Sequence, residues 1–125
     1  MNVKDLFWPD SILLSIEMEY DALCILIHNE VLKKKLRIRC SGVVGVSSIV
    51  LWDDIIINNI FQSTIEESDT FLQKLIQVYG KYTDCGGRSL SDVHHKLNIE
   101  LVSGFSFSVY CQDVYICEDD AGRMP

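Results

Sequence analysis

The sequence predicts an α+β fold in a single domain over residues 1–125, with an antiparallel sheet of five to seven strands packed against one main α-helix. Period-two alternation of apolar and polar residues recurs before and after the middle of the chain. Short connections separate these runs, which favours antiparallel pairing. A single segment has helical spacing instead. The 125 residues suit one domain, and 48% hydrophobic residues are enough for a packed core.

The first strands lie near the N-terminus. The segment SILLSIEMEY alternates and places Ile12, Leu14, Ile16, Met18 and Tyr20 on one face, which is typical of a half-solvated strand. The following segment ALCILI is apolar on both faces, as a central strand would be. The residues YDA between them predict a hairpin turn.

A basic cluster follows in the segment KKLRIRC, which alternates like a strand with its charged residues facing solvent. The inward residues are Leu36, Ile38 and Cys40, and the outward residues are Lys35, Arg37 and Arg39. Because Glu17 and Glu19 lie on the polar face of the first strand, they can neutralise this cluster if the strands are neighbours. We expect SGVVGVSS to form a loop or a twisted edge, and IVLWDDIIINNIFQ to form a strand or a strand pair.

One segment, Ser68 to Tyr79, predicts the helix. Its apolar residues share one face through i, i+4 spacing: Phe71, Leu72, Leu75, Ile76 and Tyr79. Ser63 or Thr64, with Glu66 or Glu67, fits a capping box at its start. Gly80 stands where a left-handed C-terminal cap is expected.

The segment LNIELVSGFSFSVYC predicts a closing β-hairpin with its turn at the residues SG. Residues 118–125 are expected to form a flexible tail.

The charge of the chain is −7, and its distribution is uneven. The segment KKKLRIR holds five of the eleven basic residues and no acid, so the rest of the chain is strongly acidic. Such a field repels nucleic acid and anionic membrane surfaces and attracts basic proteins. We therefore expect no nucleic-acid or membrane partner.

The expected location is the cytoplasm. No apolar run reaches the roughly 18 residues of a membrane span, and the N-terminus lacks the features of a signal peptide. The odd count of five cysteines does not suit a secreted disulfide framework. Cys24, Cys40, Cys111 and Cys117 fall in strand-like runs and are expected to be reduced and buried, and Cys85 is expected to be the most exposed.

The stretch DCGGRSLSDVHH raises the question of catalysis. Cys85 could act as a nucleophile with His94 or His95 as base and Asp92 to orient it. However, the spacing does not enforce this geometry, and hydrophobic residues are scarce there, as in a surface crossover. The stretch also lacks the paired ligand spacing of a structural zinc site. We therefore expect no enzyme activity and assign no catalytic, metal or cofactor-binding residue.

Three segments resemble the strand and turn patterns of small bacterial immunity proteins: WPDSILLSIEMEYDALCILI, LWDDIIINNI and NIELVSGFSFSVYCQDVYICE. These proteins accompany polymorphic toxins, including those of contact-dependent growth inhibition, and the resemblance covers about three-fifths of the chain. It implies a cytoplasmic protein that binds one toxin domain and neutralises it. No site residues come from the resemblance, because such families share no catalytic residues.

The candidate partner-binding residues come from charge alone, because many toxins of this kind are basic. They are Asp53, Asp54, Glu66, Glu67, Asp69, Glu118, Asp119 and Asp120. Possible aromatic anchors are Trp8, Trp52, Tyr82 and Tyr110. The protein is expected to be a monomer or a weak homodimer. Two alternatives stay open: a small cysteine-dependent hydrolase that uses Cys85, and a homo-oligomeric structural or adaptor module that pairs open sheet edges.

Overall fold

The structure, a computed structural model, describes residues 2–49, 55–65, 69–79 and 95–119. A short 3-10 helix, Val3–Asp5, precedes the first strand. The described residues form one α-helix, α1 (Thr70–Tyr79), and eight strands: β1 (Ile12–Met18), β2 (Ala22–Asn29), β3 (Lys34–Ser41), β4 (Gly45–Ile49), β5 (Ile57–Ser63), β6 (His95–Leu101), β7 (Ser106–Cys111) and β8 (Asp113–Glu118).

The strands form two antiparallel sheets of four. Sheet A has the order β1-β2-β3-β8, and sheet B has the order β4-β7-β6-β5. Alternate residues of both sheets meet in one apolar cluster, in which Ile25 and Ile38 of sheet A and Leu97, Ile99 and Val109 of sheet B are fully buried. Each sheet therefore covers the apolar face of the other, as in a β-sandwich.

The chain passes from one sheet to the other at two adjacent places, from β3 into β4 and from β7 into β8. Ser41 pairs with Asp113 in sheet A, and Gly45 pairs with Tyr110 in sheet B. Three residues lie between Ser41 and Gly45 but only two between Tyr110 and Asp113, which is the extra residue of a β-bulge. Gly42 has a φ of +63°, a conformation that glycine adopts without strain. After this corner, the segment SGVVGVSS continues as β4, which is an edge strand of sheet B.

The sheets also meet at the start of β1. Ile12 forms a bridge with Ile56, the N–H of Leu13 donates to the carbonyl of Ile55 at 2.8 Å, and the N–H of Ile57 donates to the carbonyl of Ser11 at 2.8 Å. Beyond Leu13, a register shift in the pairing of β1 with β2 marks a second bulge. This bulge moves Leu13 to the face that Ile16 and Met18 share.

Two buried polar side chains tie the N-terminal segment to the turn between β2 and β3. The Asn29 side chain donates to the carbonyl of Phe7 at 3.0 Å, and its oxygen accepts the N–H groups of Val31 and Leu32. The hydroxyl of Ser11 accepts the N–H of Glu30 at 3.1 Å. Both side chains are fully buried, and these bonds satisfy them.

The predicted fold class is wrong. The described residues are mostly β, with 59% strand and 11% helix, and form two sheets with one short α-helix, not one sheet packed against a main helix. The helix itself is close to its predicted position, as is the YDA turn, where the N–H of Glu19 bonds to the carbonyl of Ala22. Alternation reports which residues face inward, but it does not report whether a helix or a second sheet covers them.

Candidate functional site

The densest polar cluster in the described residues surrounds the carboxylate of Asp69, at the start of α1. It accepts the hydroxyl of Tyr110 at 2.8 and 2.9 Å, the ammonium of Lys96 at 2.9 Å and the N–H of Leu72 at 2.9 Å. The bond to Leu72 makes Asp69 the N-cap of the helix, a role that the sequence analysis gave to Ser63 or Thr64. Instead, Ser63 is the last residue of β5.

Strand register places the other two members of the cluster. Gly45, Tyr110, Lys96 and Ser63 are successive cross-strand partners on β4, β7, β6 and β5, so they form one row on the outer face of sheet B. The helix lies over the Gly45 end of this row. A Cβ atom on Gly45 would lie 2.9 Å from a methyl carbon of Leu75, so the absence of a side chain allows this close approach.

Aromatic contacts complete the cluster. The rings of Phe71 and Tyr110 have centroids 5.0 Å apart, and the Lys96 ammonium lies 5.3 Å from the centre of the Tyr110 ring. Both distances suit favourable aromatic and cation–π contacts. An open cleft of about 490 Å³ borders the cluster. Its lining residues are rich in hydroxyl groups: Ser47, Ser63, Thr64, Asp69, Thr70, Phe71, Lys96 and Tyr110.

The cluster holds its three groups in their ordinary charge states. Burial alone would raise the pKa of Asp69, but hydrogen bonds from Leu72, Lys96 and Tyr110 outweigh it, so the pKa lies below its usual value. The bond to Asp69 raises the pKa of Lys96. Burial and then the bond to Asp69 raise the pKa of Tyr110. All three shifts move the pKa values further from 7, so these groups are poorly suited to acid–base catalysis near pH 7. The hydrogen-bonded set of Asp69, Lys96 and Tyr110 instead holds α1 to sheet B, and we call it the latch.

The outer face of sheet A carries a ladder of ion pairs. Arg39 bonds to Glu19 at 2.9 Å, and Arg37 lies 3.8 Å from Glu17. A further pair belongs to the opposite face, at the end of the sheet, where Lys34 bonds to Glu118 at 3.0 Å. Glu17 and Glu19 thus pair with two arginines of the basic strand, although β2 lies between β1 and β3 and the strands are not neighbours. Pairs this exposed contribute little to stability.

Asp119 is an unusual member of this ladder, because its side chain is only 7% exposed. One oxygen accepts Arg37 at 3.2 Å, and the other is buried without a hydrogen-bond partner. The N–H of Asp119 bonds to the carbonyl of Lys35. Glu118 is the last residue of β8, and Asp119, which follows it, is anchored to β3. The rest of the expected tail, residues 120–125, lies outside the described residues.

Only three of the eight candidate partner-binding residues are described. Asp69 and Asp119 have nearly buried side chains, 9% and 7% exposed, so neither presents an open carboxylate to a partner. Glu118 is exposed but paired with Lys34. The other five lie outside the described residues: Asp53, Asp54, Glu66, Glu67 and Asp120. Tyr110 and Trp8 are each 1% exposed and are not surface anchors; Trp52 and Tyr82 lie outside the described residues.

The cysteines follow the prediction with one exception. Cys24, Cys40 and Cys111 are free and buried, whereas Cys117 is free and exposed. Cys117 faces outward because it pairs with Arg37, on the solvated face of β3. Cys85 and His94 lie outside the described residues, and His95 begins β6 beside Gln62. Within the described ranges, no three His, Cys, Asp or Glu residues come together as metal ligands would.

A surface that the sequence analysis did not single out lies along β1. Ile16 is 43% exposed and Met18 is 79% exposed, although both belong to the inward-facing row of the strand. Tyr20, in the turn after β1, is 89% exposed. The bulge after Leu13 leaves Ile16 and Met18 in the inward-facing row that alternation predicts, so alternation gives the direction of these side chains but not their exposure.

Comparison with known proteins adds no relative: no family model matches the sequence, no curated protein matches it, and no solved structure matches the fold. In the part of the chain that the structure describes, no helix has the length and apolar character needed to cross a membrane.

Proposed function

We propose that this protein binds the toxin domain of a polymorphic toxin system and neutralises it by stoichiometric binding, without turnover. The observation that carries the proposal is the row of exposed apolar side chains on β1 and the adjacent turn, Ile16, Met18 and Tyr20. Exposed apolar rows next to charged residues are typical of protein-binding surfaces.

The charge distribution adds support for a basic partner. The described ranges hold eleven of the 18 acidic residues and eight of the eleven basic residues. Five of those bases, Lys33, Lys34, Arg37, Arg39 and Lys96, already pair with acids. Ion pairing leaves the net charge of −7 unchanged, so the long-range field is acidic, which speeds the encounter with a basic toxin. The proposed location is the cytoplasm, where such a toxin would act.

The decisive test is co-expression with the toxin domain encoded beside this protein. We expect growth to be rescued, and we expect purified complex to show a one-to-one mass by light scattering. Association should slow as salt rises, because the Debye length is only about 8 Å at physiological ionic strength. Failure of both rescue and complex formation would exclude the immunity function.

Charge reversal must avoid the residues that hold the fold together. Reversing Asp69 to lysine would break the cap of α1, so a loss of binding would be ambiguous. Reversing Glu66 and Glu67 alone tests that acidic patch, and Glu118→Lys tests the end of β8.

The hydrolase alternative, which uses Cys85 and His94 or His95, is tested by alkylating the thiols and screening for activity. The homo-oligomer alternative is tested by the mass of the free protein.

A further inference from the structure

The edge of β1 offers unpaired backbone groups beside its exposed side chains. The N–H of Glu19 bonds to the carbonyl of Ala22. Because bonded and non-bonded pairs alternate in an antiparallel ladder, the backbone of Glu17 bonds to β2 and the backbone of Ile16 and Met18 points away from it. Among the described residues, only Ile12 of β1 forms a bridge on that open side.

The two faces of this edge differ in chemistry. Ile16 and Met18 present apolar surface on the inner face. Glu17 and Glu19 present carboxylates on the outer face, with side chains 62% and 49% exposed. Glu19 already bonds to Arg39 at 2.9 Å, whereas Glu17 lies 3.8 Å from Arg37 and is the more open of the two. A strand added here would therefore place every second side chain against apolar groups and the others beside carboxylates.

The rest of sheet A shows how an edge is normally blunted. β8, its other edge strand, begins with Asp113 and ends with Glu118. β1 contains no Lys, Arg or Pro in its seven residues. Its blunting features are the bulge after Leu13 and the outward-facing Glu17, and the ladder to β2 is regular from Ser15 to Met18. None of the described residues pairs with this stretch on its open side.

We propose that the β1 edge takes up an extended segment of a partner protein as an added strand, and that this segment alternates apolar residues with Lys or Arg. The proposal deepens the toxin-binding function and rests on it for the basic character of the partner. Charge complementarity selects the occupant. A second copy paired antiparallel about Glu17 would place the two Glu17 carboxylates opposite each other, whereas a basic segment brings a cation to Glu17, whose contact with Arg37 is 3.8 Å long.

Synthetic peptides one strand in length test this directly. The probe is a fluorescent peptide of alternating Val and Lys, with an alternating Val and Glu peptide as the charge control. A third peptide keeps Val and Lys but carries N-methyl groups on alternate residues, which removes its ladder hydrogen bonds. We expect the first peptide to bind, and each control to bind at least about tenfold more weakly.

Matched variants locate the binding. Met18→Lys adds a charge at the edge, and Val31→Lys makes the same kind of change at an exposed site in the β2–β3 turn, where Val31 is 59% exposed. Both should unfold at the same urea concentration as the native protein. Met18→Lys should weaken binding of the Val and Lys peptide about tenfold, and Val31→Lys should not.

The outcomes separate the two proposals. Equal binding of the Val and Glu peptide, retained binding of the methylated peptide, or no effect of Met18→Lys would overturn strand addition. A concentration-dependent doubling of mass that Met18→Lys abolishes would identify a second copy as the occupant and overturn it as well. If the native protein neutralises the toxin and the Met18→Lys variant protects cells equally well, the immunity function stands and strand addition at β1 fails. If the Val and Lys peptide binds as expected but the native protein does not neutralise the toxin, strand addition stands and the immunity function fails.

Discussion

The hydroxyl of Tyr110 donates to the carboxylate of Asp69, 2.8 Å from one oxygen and 2.9 Å from the other. This bond joins the middle of sheet B to the residue that caps α1. Lys96 binds the same carboxylate from the neighbouring strand. One side chain therefore both starts the helix and fixes it to the sheet.

Removing this carboxylate should destabilise the protein strongly. Asp69→Ala loses the cap and two bonds to a charged acceptor, so we expect a loss of about 2–4 kcal/mol in the free energy of unfolding. Asp69→Asn keeps the cap and should lose less. Urea unfolding measures both. Glu118→Gln, which removes an exposed pair, is the control and should cost under about 1 kcal/mol. Equal effects of Asp69→Ala and Glu118→Gln would contradict the role of the latch.

The latch should also give an acid-dependent stability. The pKa of Asp69 is lowered in the folded protein, so its contribution is fully present above the unfolded value of about 3.9 and is lost as pH falls through the folded pKa. The difference in stability between the native protein and Asp69→Asn should be constant near pH 6 and should shrink below about pH 4. Urea titrations across this range test it. A difference that persists unchanged at pH 2 would show that the carboxylate charge does not matter.

Gly45 should not tolerate a side chain while α1 stays in place. A Cβ there would lie 2.9 Å from Leu75 and 3.1 Å from Phe71, so Gly45→Ala should cost about 1–2 kcal/mol as those side chains shift. Leu75→Ala removes the closest of these contacts. In a double-mutant cycle measured by urea unfolding, the combined loss should therefore be smaller than the sum of the single losses. Strict additivity would mean that the helix does not press on Gly45.

Cys117 should react with thiol reagents before the other described cysteines. It is exposed, whereas Cys24, Cys40 and Cys111 are buried. The hydrogen bond with Cys111 and burial further raise the pKa of Cys40, which disfavours its reactive thiolate. Labelling followed by mass spectrometry should show one fewer rapidly labelled thiol in the Cys117→Ser variant than in the native protein. Cys85→Ser, made in parallel, tests the separate expectation that Cys85 is exposed. Fast labelling of Cys40 would contradict its burial in the core.

Local patterns in the sequence predicted the local structure well. The spacing of Phe71 and Leu75 marked the helix, and alternation around Ile38 marked a strand whose arginines face solvent. The two bulges could not be predicted, because each depends on a single extra residue opposite a partner that is distant in sequence. The corner at Gly42 leads into a second sheet, and the bulge after Leu13 moves Leu13 to the face of Ile16 and Met18. The Asp69 cluster cannot be predicted either, because Lys96 and Tyr110 approach Asp69 only through strand register.

The order of strands in sheet A has a consequence for how the chain reaches its fold. β3 lies between β2, which precedes it closely, and β8, and Arg37 on β3 meets Asp119 only 82 residues later. During synthesis, the β1–β2–β3 meander leaves the ribosome long before the strand that completes its sheet. The inward side chains of β3 therefore stay exposed until sheet B and β8 have been synthesised and cover them. Such late, long-range closure is intrinsically slow and leaves apolar surface open to wrong partners in the meantime.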